Sequence, residues 1–129
     1  MKMKNSYRGL VVGLLTSLAS SAYAVKWNVI ATTSEGTVSI AQGSQKHTGH
    51  LGYVWIRNVF VTPRHTPDAP AFSMQARWVI DCMLETYRST SIVVLGAKGE
   101  TLSTDTTDDT EHDIRPDSVA ATVREEVCK

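Results

Sequence analysis

Apolar and polar residues alternate in short runs along most of this chain, which is the pattern of half-buried β-strands. In the strongest run, residues 53–61, seven of the nine residues are β-branched or aromatic. The same criteria predict further strands, so that about six are expected in all: 27–31, 37–41, 53–61, 74–84, 91–95 and 100–103.

The segments between these runs carry the signals of loops and turns. Residues 43–52 are polar and rich in glycine, and we predict a loop there. Residues 62–71 contain three prolines, which cannot donate to a β-ladder, so this segment is predicted to be an exposed connector. Residues 104–113 are acidic, lack large apolar side chains and are predicted to form a solvated loop.

The hydrophobic period changes at the C-terminus from two to about four. Asp117 or Ser118 can cap a helix in which Val119, Val123 and Val127 form one apolar stripe, while residues 124–125 face water. All the strands precede this helix, which favours an α+β fold over βαβ units. We therefore predict an antiparallel sheet of about six strands with one C-terminal helix packed on a face, in a single domain spanning residues 25–129.

The first 24 residues have the layout of a secretory signal peptide: three cations, an apolar run at 9–18 and a small-x-small motif. Cleavage is predicted between Ala24 and Val25. The ten-residue apolar run is short for a membrane span, which needs about 20 apolar residues. No later segment is apolar and long enough to span, and no cysteine adjoins the cut. We therefore expect an exported protein, periplasmic, surface-located or secreted, without a transmembrane segment and without a lipid anchor.

The charge balance weighs against nucleic acid as a partner. Three of the 13 Lys and Arg lie in the predicted leader, so 10 cations face 13 Asp and Glu in the mature chain, a net charge of −3. Binding to a phosphate backbone depends on clustered cations, and the sequence has no basic stripe.

Cys82 and Cys128 are the only cysteines. In an oxidising compartment two cysteines in so small a domain predict one disulfide, whereas a redox or metal-binding pair would need close spacing such as C-x-x-C. Cys82 alternates with Trp78 and Ile80 on one face of its strand and should point into the core. The bridge is therefore predicted to fasten the terminal helix to the strand that it covers.

Candidate metal ligands are few and poorly spaced. His47 and His50 form H-x-x-H in a flexible loop, with His65 in the proline-rich segment, whereas a metal site needs three or four ligands with supporting contacts. The acidic run lacks the glycine and the carboxylate spacing of a calcium loop; its members are Asp105, Asp108, Asp109, Glu111 and Asp113. We predict neither a metal site nor a cofactor.

Catalytic signatures are also missing from the sequence. It contains no G-x-S-x-G motif and no cysteine free to act as a nucleophile, and Ser118 is better explained as a helix cap. Asp81 points away from Cys82 and is expected to be exposed or paired with Arg77. We therefore predict that the protein is not an enzyme.

Several marks in order along the mature chain resemble the surface-adhesin protein E family of Gram-negative exported proteins. They are Trp27, Val54-Trp55-Ile56-Arg57, Ile80-Asp81-Cys82, Tyr87-Arg88, Gly99, Ile114-x-Pro116-x-Ser118 and Val127-Cys128. The resemblance implies the same sheet-and-helix fold, the disulfide between Cys82 and Cys128, binding to host extracellular-matrix or serum proteins, and a homodimer. The chain departs from the family's founding type in having no cysteine after the signal, and in residues 37–52, where an acidic strand residue is expected.

Exposed aromatic residues offer the best lead to a binding surface. Trp55 and Trp78 lie on neighbouring strands and Tyr53 shares the face of Trp55; they form either the core or a binding surface, where aromatics and arginine are enriched. We predict an exported, non-enzymatic protein-binding module of the adhesin type. The alternative is a periplasmic inhibitor or immunity-type protein that inserts the 43–52 or 62–71 loop into a lytic enzyme.

Overall fold

The structure, a computed structural model, describes residues 25–105 and 110–129. The predicted signal peptide, residues 1–24, and the predicted cut after Ala24 lie outside the described residues. The same holds for residues 106–109 of the acidic run.

The described chain forms one antiparallel sheet followed by one helix. The path of the sheet runs β1-β2-β4-β5-β6-β7, while the short strand β3 pairs with β4 and the short strand β8 pairs with β6. The bounds are β1 (Trp27–Thr32), β2 (Gly36–Ala41), β3 (Lys46–Thr48), β4 (Leu51–Arg64), β5 (Ala71–Asp81), β6 (Thr86–Leu95), β7 (Thr101–Asp105), β8 (His112–Asp113) and α1 (Val119–Val127). The predicted α+β fold is confirmed.

The prediction that residues 43–52 form a loop was partly wrong, because this segment also contains a short strand. It contains β3, which turns through Gly49 (φ 60°) and pairs back onto the start of β4, with His47 opposite Gly52. Backbone pairing with β4 holds this strand in place. All three of its side chains are exposed, so the strand can consist of charged and polar residues. Hydrophobic alternation cannot reveal a strand of this kind.

The proline-rich connector also begins later than predicted. β4 continues through Pro63 to Arg64, which pairs with Ala71 after an irregularity in the ladder beyond Val59. Proline is tolerated there because the regular pairing is already interrupted. The strand predicted at 91–95 starts earlier, at Thr86, and the acidic segment predicted as loop contributes β8, which pairs with β6.

The core lies between the sheet and α1. Its buried members come from three strands, β2, β4 and β5, and from the helix: Ile40, Val54, Ile56, Ala76, Ile80, Val123 and Val127. Val54 and Val123 are completely buried, so the middle of the helix sits over the middle of the sheet. The predicted valine stripe is confirmed, with Val119 packing at its edge.

The helix begins at a polar cap and ends at the second cysteine. Ser118 is the N-cap: its Oγ accepts a hydrogen bond from the Ala121 N–H at 3.1 Å. At the other end the Cys128 N–H donates to the carbonyl of Arg124 at 2.8 Å. Arg124, predicted to face water, instead donates to the Cys82 carbonyl oxygen at 3.2 Å and pairs with Glu85.

The disulfide joins Cys82, just after β5, to Cys128 at the end of α1, with Cα atoms 5.8 Å apart. It passes over Gly52, where an added Cβ would overlap the Cγ1 of Val127 and approach Cys82 Sγ. Gly52 is therefore required for close approach of helix and sheet. In the part of the chain that the structure describes, no helix has the length and apolar character needed to cross a membrane.

Candidate functional site

The face of the sheet opposite α1 carries a group of aromatic and arginine side chains. Cross-strand register places Trp55 opposite Arg77, Tyr53 opposite Val79, and Arg57 opposite Gln75, all pointing away from the helix. Trp27 reaches the same face from β1, since it pairs with Ala41. We call Trp27, Tyr53, Trp55, Arg57 and Arg77 together the aromatic–arginine face.

Arg57 bridges two strands that are not neighbours. It pairs with Ser39 on β2, and its Cζ lies 4.7 Å from the centroid of the Trp27 ring on β1. Its side chain therefore crosses over β2, which explains why Ser39 is only 2% exposed on a face without a helix. The Nε of Arg57 is buried and has no hydrogen-bond partner among the described residues.

A second cation–π contact repeats this arrangement one strand further along. The Cζ of Arg77 on β5 lies 5.4 Å from the centroid of Tyr53 on β4. Arg77 is exposed and Tyr53 is half-buried. Arginines held over aromatic rings lose less side-chain freedom when a partner binds, because their position is already restricted.

A groove with a cavity of about 380 Å³ runs between the two tryptophans of this face. Ala41, which is 4% exposed, supplies a small side chain between Trp27 and Trp55. The turn after β2 closes one end, where the Ser44 Oγ accepts a hydrogen bond from the Trp55 N–H at 3.1 Å. The complete lining is Val25, Trp27, Ala41, Gln42, Gly43, Ser44, Trp55 and Gln75.

The charge of this face is positive. Register directs Lys46, Arg57, Arg77 and Arg88 toward it. Asp81 is the single acidic residue in strands β1 to β6. Glu111, which accepts a hydrogen bond from Thr86, lies near Arg88 at one end of this face. The part around Arg57 and Arg77 is suited to an acidic partner surface, although residues 25–129 carry 10 cations against 13 Asp and Glu.

Asp81 holds the turn between β5 and β6. Its Oδ1 accepts hydrogen bonds from the Met83 and Leu84 N–H groups at 3.0 and 2.9 Å. Its Oδ2 lies 3.5 Å from the Nε2 of His50. Asp81 was predicted to be exposed or paired with Arg77. Both alternatives are wrong, because its side chain is only 13% exposed and Arg77 extends over Tyr53.

The predicted aromatic group is divided between the two faces. Trp78 lies on the helix side, opposite Val54, and stacks on Tyr87 with ring centroids 4.4 Å apart. Tyr87 in turn contacts His112 at 5.3 Å, beside an open cleft of about 490 Å³ next to the start of α1. Trp78 belongs to the core, whereas Trp55 and Tyr53 belong to the aromatic–arginine face.

The histidines of the predicted H-x-x-H motif have different surroundings. His47 Nε2 lies 3.7 Å from Cys82 Sγ, while His50 contacts Asp81, and His65 is exposed in the β4–β5 connection. Among residues 25–105 and 110–129, no three side chains of metal-binding type come together.

Sequence reasoning missed most of this site. It identified Trp55 and Tyr53 as aromatic leads, but did not connect Trp27, Arg57 and Arg77 with them. The signal was present in the alternation of β4, where every second residue from Tyr53 to Arg57 is aromatic or basic. What alternation could not supply was the strand order that brings β1 and β5 to the same face.

The chain is similar to known proteins both in sequence family and in fold. The sequence profile of the family described as Surface-adhesin protein E matches residues 27–129. No protein with a curated description matches the chain in sequence.

Solved structures of Haemophilus influenzae protein E resemble this one. Crystal form II has a TM-score of 0.58 at 10% identity, covering 79% of this chain and 86% of that one. Protein E from non-typeable Haemophilus influenzae has a TM-score of 0.57 at 10% identity, covering 82% of this chain and 78% of that one. At such low identity these likenesses show the fold alone.

Proposed function

This chain belongs to the surface-adhesin protein E family, and on that premise we propose that it is an exported, non-enzymatic module that binds another protein. The partner class is host extracellular-matrix or serum protein, as the family's description as adhesins suggests. The observation that carries the proposal is the aromatic–arginine face, where two tryptophans and two arginines stand on the side of the sheet without a helix.

The chemistry of this face defines the partner surface that it fits. A groove between two indole rings takes an apolar or flat side chain, and the arginines beside it favour carboxylates. Both arginines are restricted by aromatic contacts before binding. We therefore expect an acidic segment carrying at least one large apolar residue to bind here.

Export is part of the same proposal. The leader is residues 1–24, cut between Ala24 and Val25, and the binding domain is residues 25–129. Val25 lines the groove beside Trp27, so cleavage would place the new amino terminus at the rim of the proposed site. Mass spectrometry of the protein recovered from the cell envelope or medium tests the cleavage position directly.

A homodimer is proposed through an edge of the sheet. β1 and β7 are the ends of the strand path, and each pairs on one side only among the described strands. Of the two, β1 is the better candidate because Val29 there is 61% exposed and apolar. Sedimentation equilibrium should show a dimer that Val29→Lys converts to monomer; a monomer at all concentrations would contradict it.

Binding is tested with immobilised matrix proteins and serum proteins. The protein should bind at least one of them, and Trp55→Ala should weaken that binding by tenfold or more, as is typical of an interface hot spot. Arg115→Ala, an exposed arginine near α1 on the opposite side, is the matched control and should bind normally. Equal loss in both variants, or no binding to any matrix or serum protein, would contradict the proposal.

Surface exposure is tested separately by protease shaving of intact cells. A surface adhesin should be removed, whereas a protein confined to the periplasm should be spared. The alternative function, a periplasmic inhibitor of a lytic enzyme, receives no support from the family or from the similar structures.

A further inference from the structure

The two sulfurs of the disulfide have different surroundings. His47 Nε2 lies 3.7 Å from Cys82 Sγ. This contact follows from the register of β3, which places His47 opposite Gly52 and directs it to the side of the sheet that carries the helix. Among the described residues, Cys128 Sγ has no polar side-chain partner.

The other charged groups near Cys82 make their polar contacts with atoms other than its sulfur. The Arg124 guanidinium contacts the backbone carbonyl of Cys82 and the Glu85 carboxylate, and not the sulfur. His50 is turned toward Asp81. His47 is therefore the one described side chain positioned to act on a sulfur of the bridge.

This asymmetry matters in thiol–disulfide exchange. An incoming thiolate attacks one sulfur and expels the other, and the rate rises as the pKa of the departing thiol falls. A neighbouring histidine lowers the pKa of a cysteine thiol, because the imidazolium stabilises the thiolate. Cys82 is consequently the better leaving group of the two.

We propose that Cys128 is a site of covalent modification by thiols, with His47 assisting departure of Cys82. The thiolate of a small thiol or of a dithiol protein attacks Cys128 Sγ and forms a new sulfur–sulfur bond to it. The bond between Cys128 and Cys82 breaks, and its electron pair goes to Cys82 Sγ. His47, in its imidazolium form, donates a charge-assisted hydrogen bond from Nε2–H to the departing sulfur, which leaves as the thiolate of Cys82.

The location of the Cys82–Cys128 bridge in the fold is compatible with exchange at Cys128. Cys82 and Cys128 are only half-buried and His47 is exposed, so the bridge lies at the surface of the fold and not in its interior. After exchange, the adduct lies on the C-cap of α1, while Val123 and Val127 still hold the helix on the core. The product is thus a folded chain with an altered C-terminal end.

The test uses the folded protein and glutathione as the probe. Aliquots are quenched with acid, free thiols are alkylated, and peptides are mapped by mass spectrometry. The first product should carry glutathione on Cys128 and the alkyl group on Cys82. His47→Gln should slow its formation by about tenfold, since a charge-assisted hydrogen bond to the leaving sulfur is lost.

Two further variants separate this role from a general effect of the loop. His50→Gln removes the other histidine of the same hairpin and should react like the unaltered protein. His47→Lys keeps a cation beside the sulfur and should preserve attack at Cys128. Glutathione found equally on both cysteines, or on Cys82 first, would overturn the proposal, as would an unchanged rate in His47→Gln.

Discussion

Arg57 lies over the indole ring of Trp27, although β2 separates the two strands to which they belong. The side chain that makes this contact also buries Ser39 on the intervening strand. One arginine thus ties together three strands on the face where no helix packs. The cation–π contact does not neutralise the guanidinium charge, so Arg57 can still contact an acidic partner.

The first prediction concerns this contact. Arg57→Ala and Trp27→Leu should each destabilise the fold, and the double variant should lose less than the sum. Urea denaturation should give a coupling of about 0.5–1 kcal/mol, the range for exposed cation–π pairs. Strictly additive losses would mean that the two side chains do not interact in solution.

The second prediction concerns Gly52. Gly52→Ala should destabilise the protein by about 1–3 kcal/mol, because its methyl group would overlap Val127 under the helix. Thermal unfolding measures the loss. In the double variant with Val127→Ala the overlap is relieved, so Gly52→Ala should cost less in that background than in the unaltered protein. An equal cost in both backgrounds would show that another contact is responsible.

The third prediction concerns the disulfide. Replacing Cys82 and Cys128 together with serine should lower the free energy of unfolding by about 4 kcal/mol, the value expected for a bridge that closes 46 residues of chain. The double replacement avoids leaving one free thiol. Denaturation of the unaltered protein with and without a strong reductant gives an independent measure. A change well under 1 kcal/mol in both experiments would contradict a stabilising role for the bridge.

The fourth prediction concerns the start of α1. Ser118→Ala removes the acceptor for the Ala121 N–H and should cost about 1 kcal/mol. Ser118→Asp keeps an acceptor at the cap and should retain most of the stability. Measuring both variants separates loss of the cap from loss of side-chain volume. Equal destabilisation in the two would show that the cap contributes little.

Much of the fold could be predicted because its determinants are local. Each of the six strands of the main path coincides at least in part with a predicted run, and the valine stripe with its cap defined α1. The pairing of Cys82 with Cys128 followed from their number and compartment. β3 and β8 could not be predicted in this way, because short exposed strands are held by their neighbours' backbone and not by their own apolar residues.

The aromatic–arginine face could be predicted only in part, because it depends on strand order. The alternation in β4 separates Tyr53 and Trp55 from Val54. Nothing in the sequence alone states that β1 would lie two strands away from β4 with Trp27 within reach of Arg57. The partner of Asp81 was missed for a similar reason: the turn that follows β5 offers two backbone N–H groups closer than Arg77.

Because successive residues of β4 and β5 point to opposite faces, this protein offers a scaffold in which the surface of the sheet away from α1 can be redesigned separately from the core. Positions 53, 55, 75 and 77 can be randomised in a library while Arg57 keeps its contact with Trp27 and the intervening residues keep the hydrophobic interior intact.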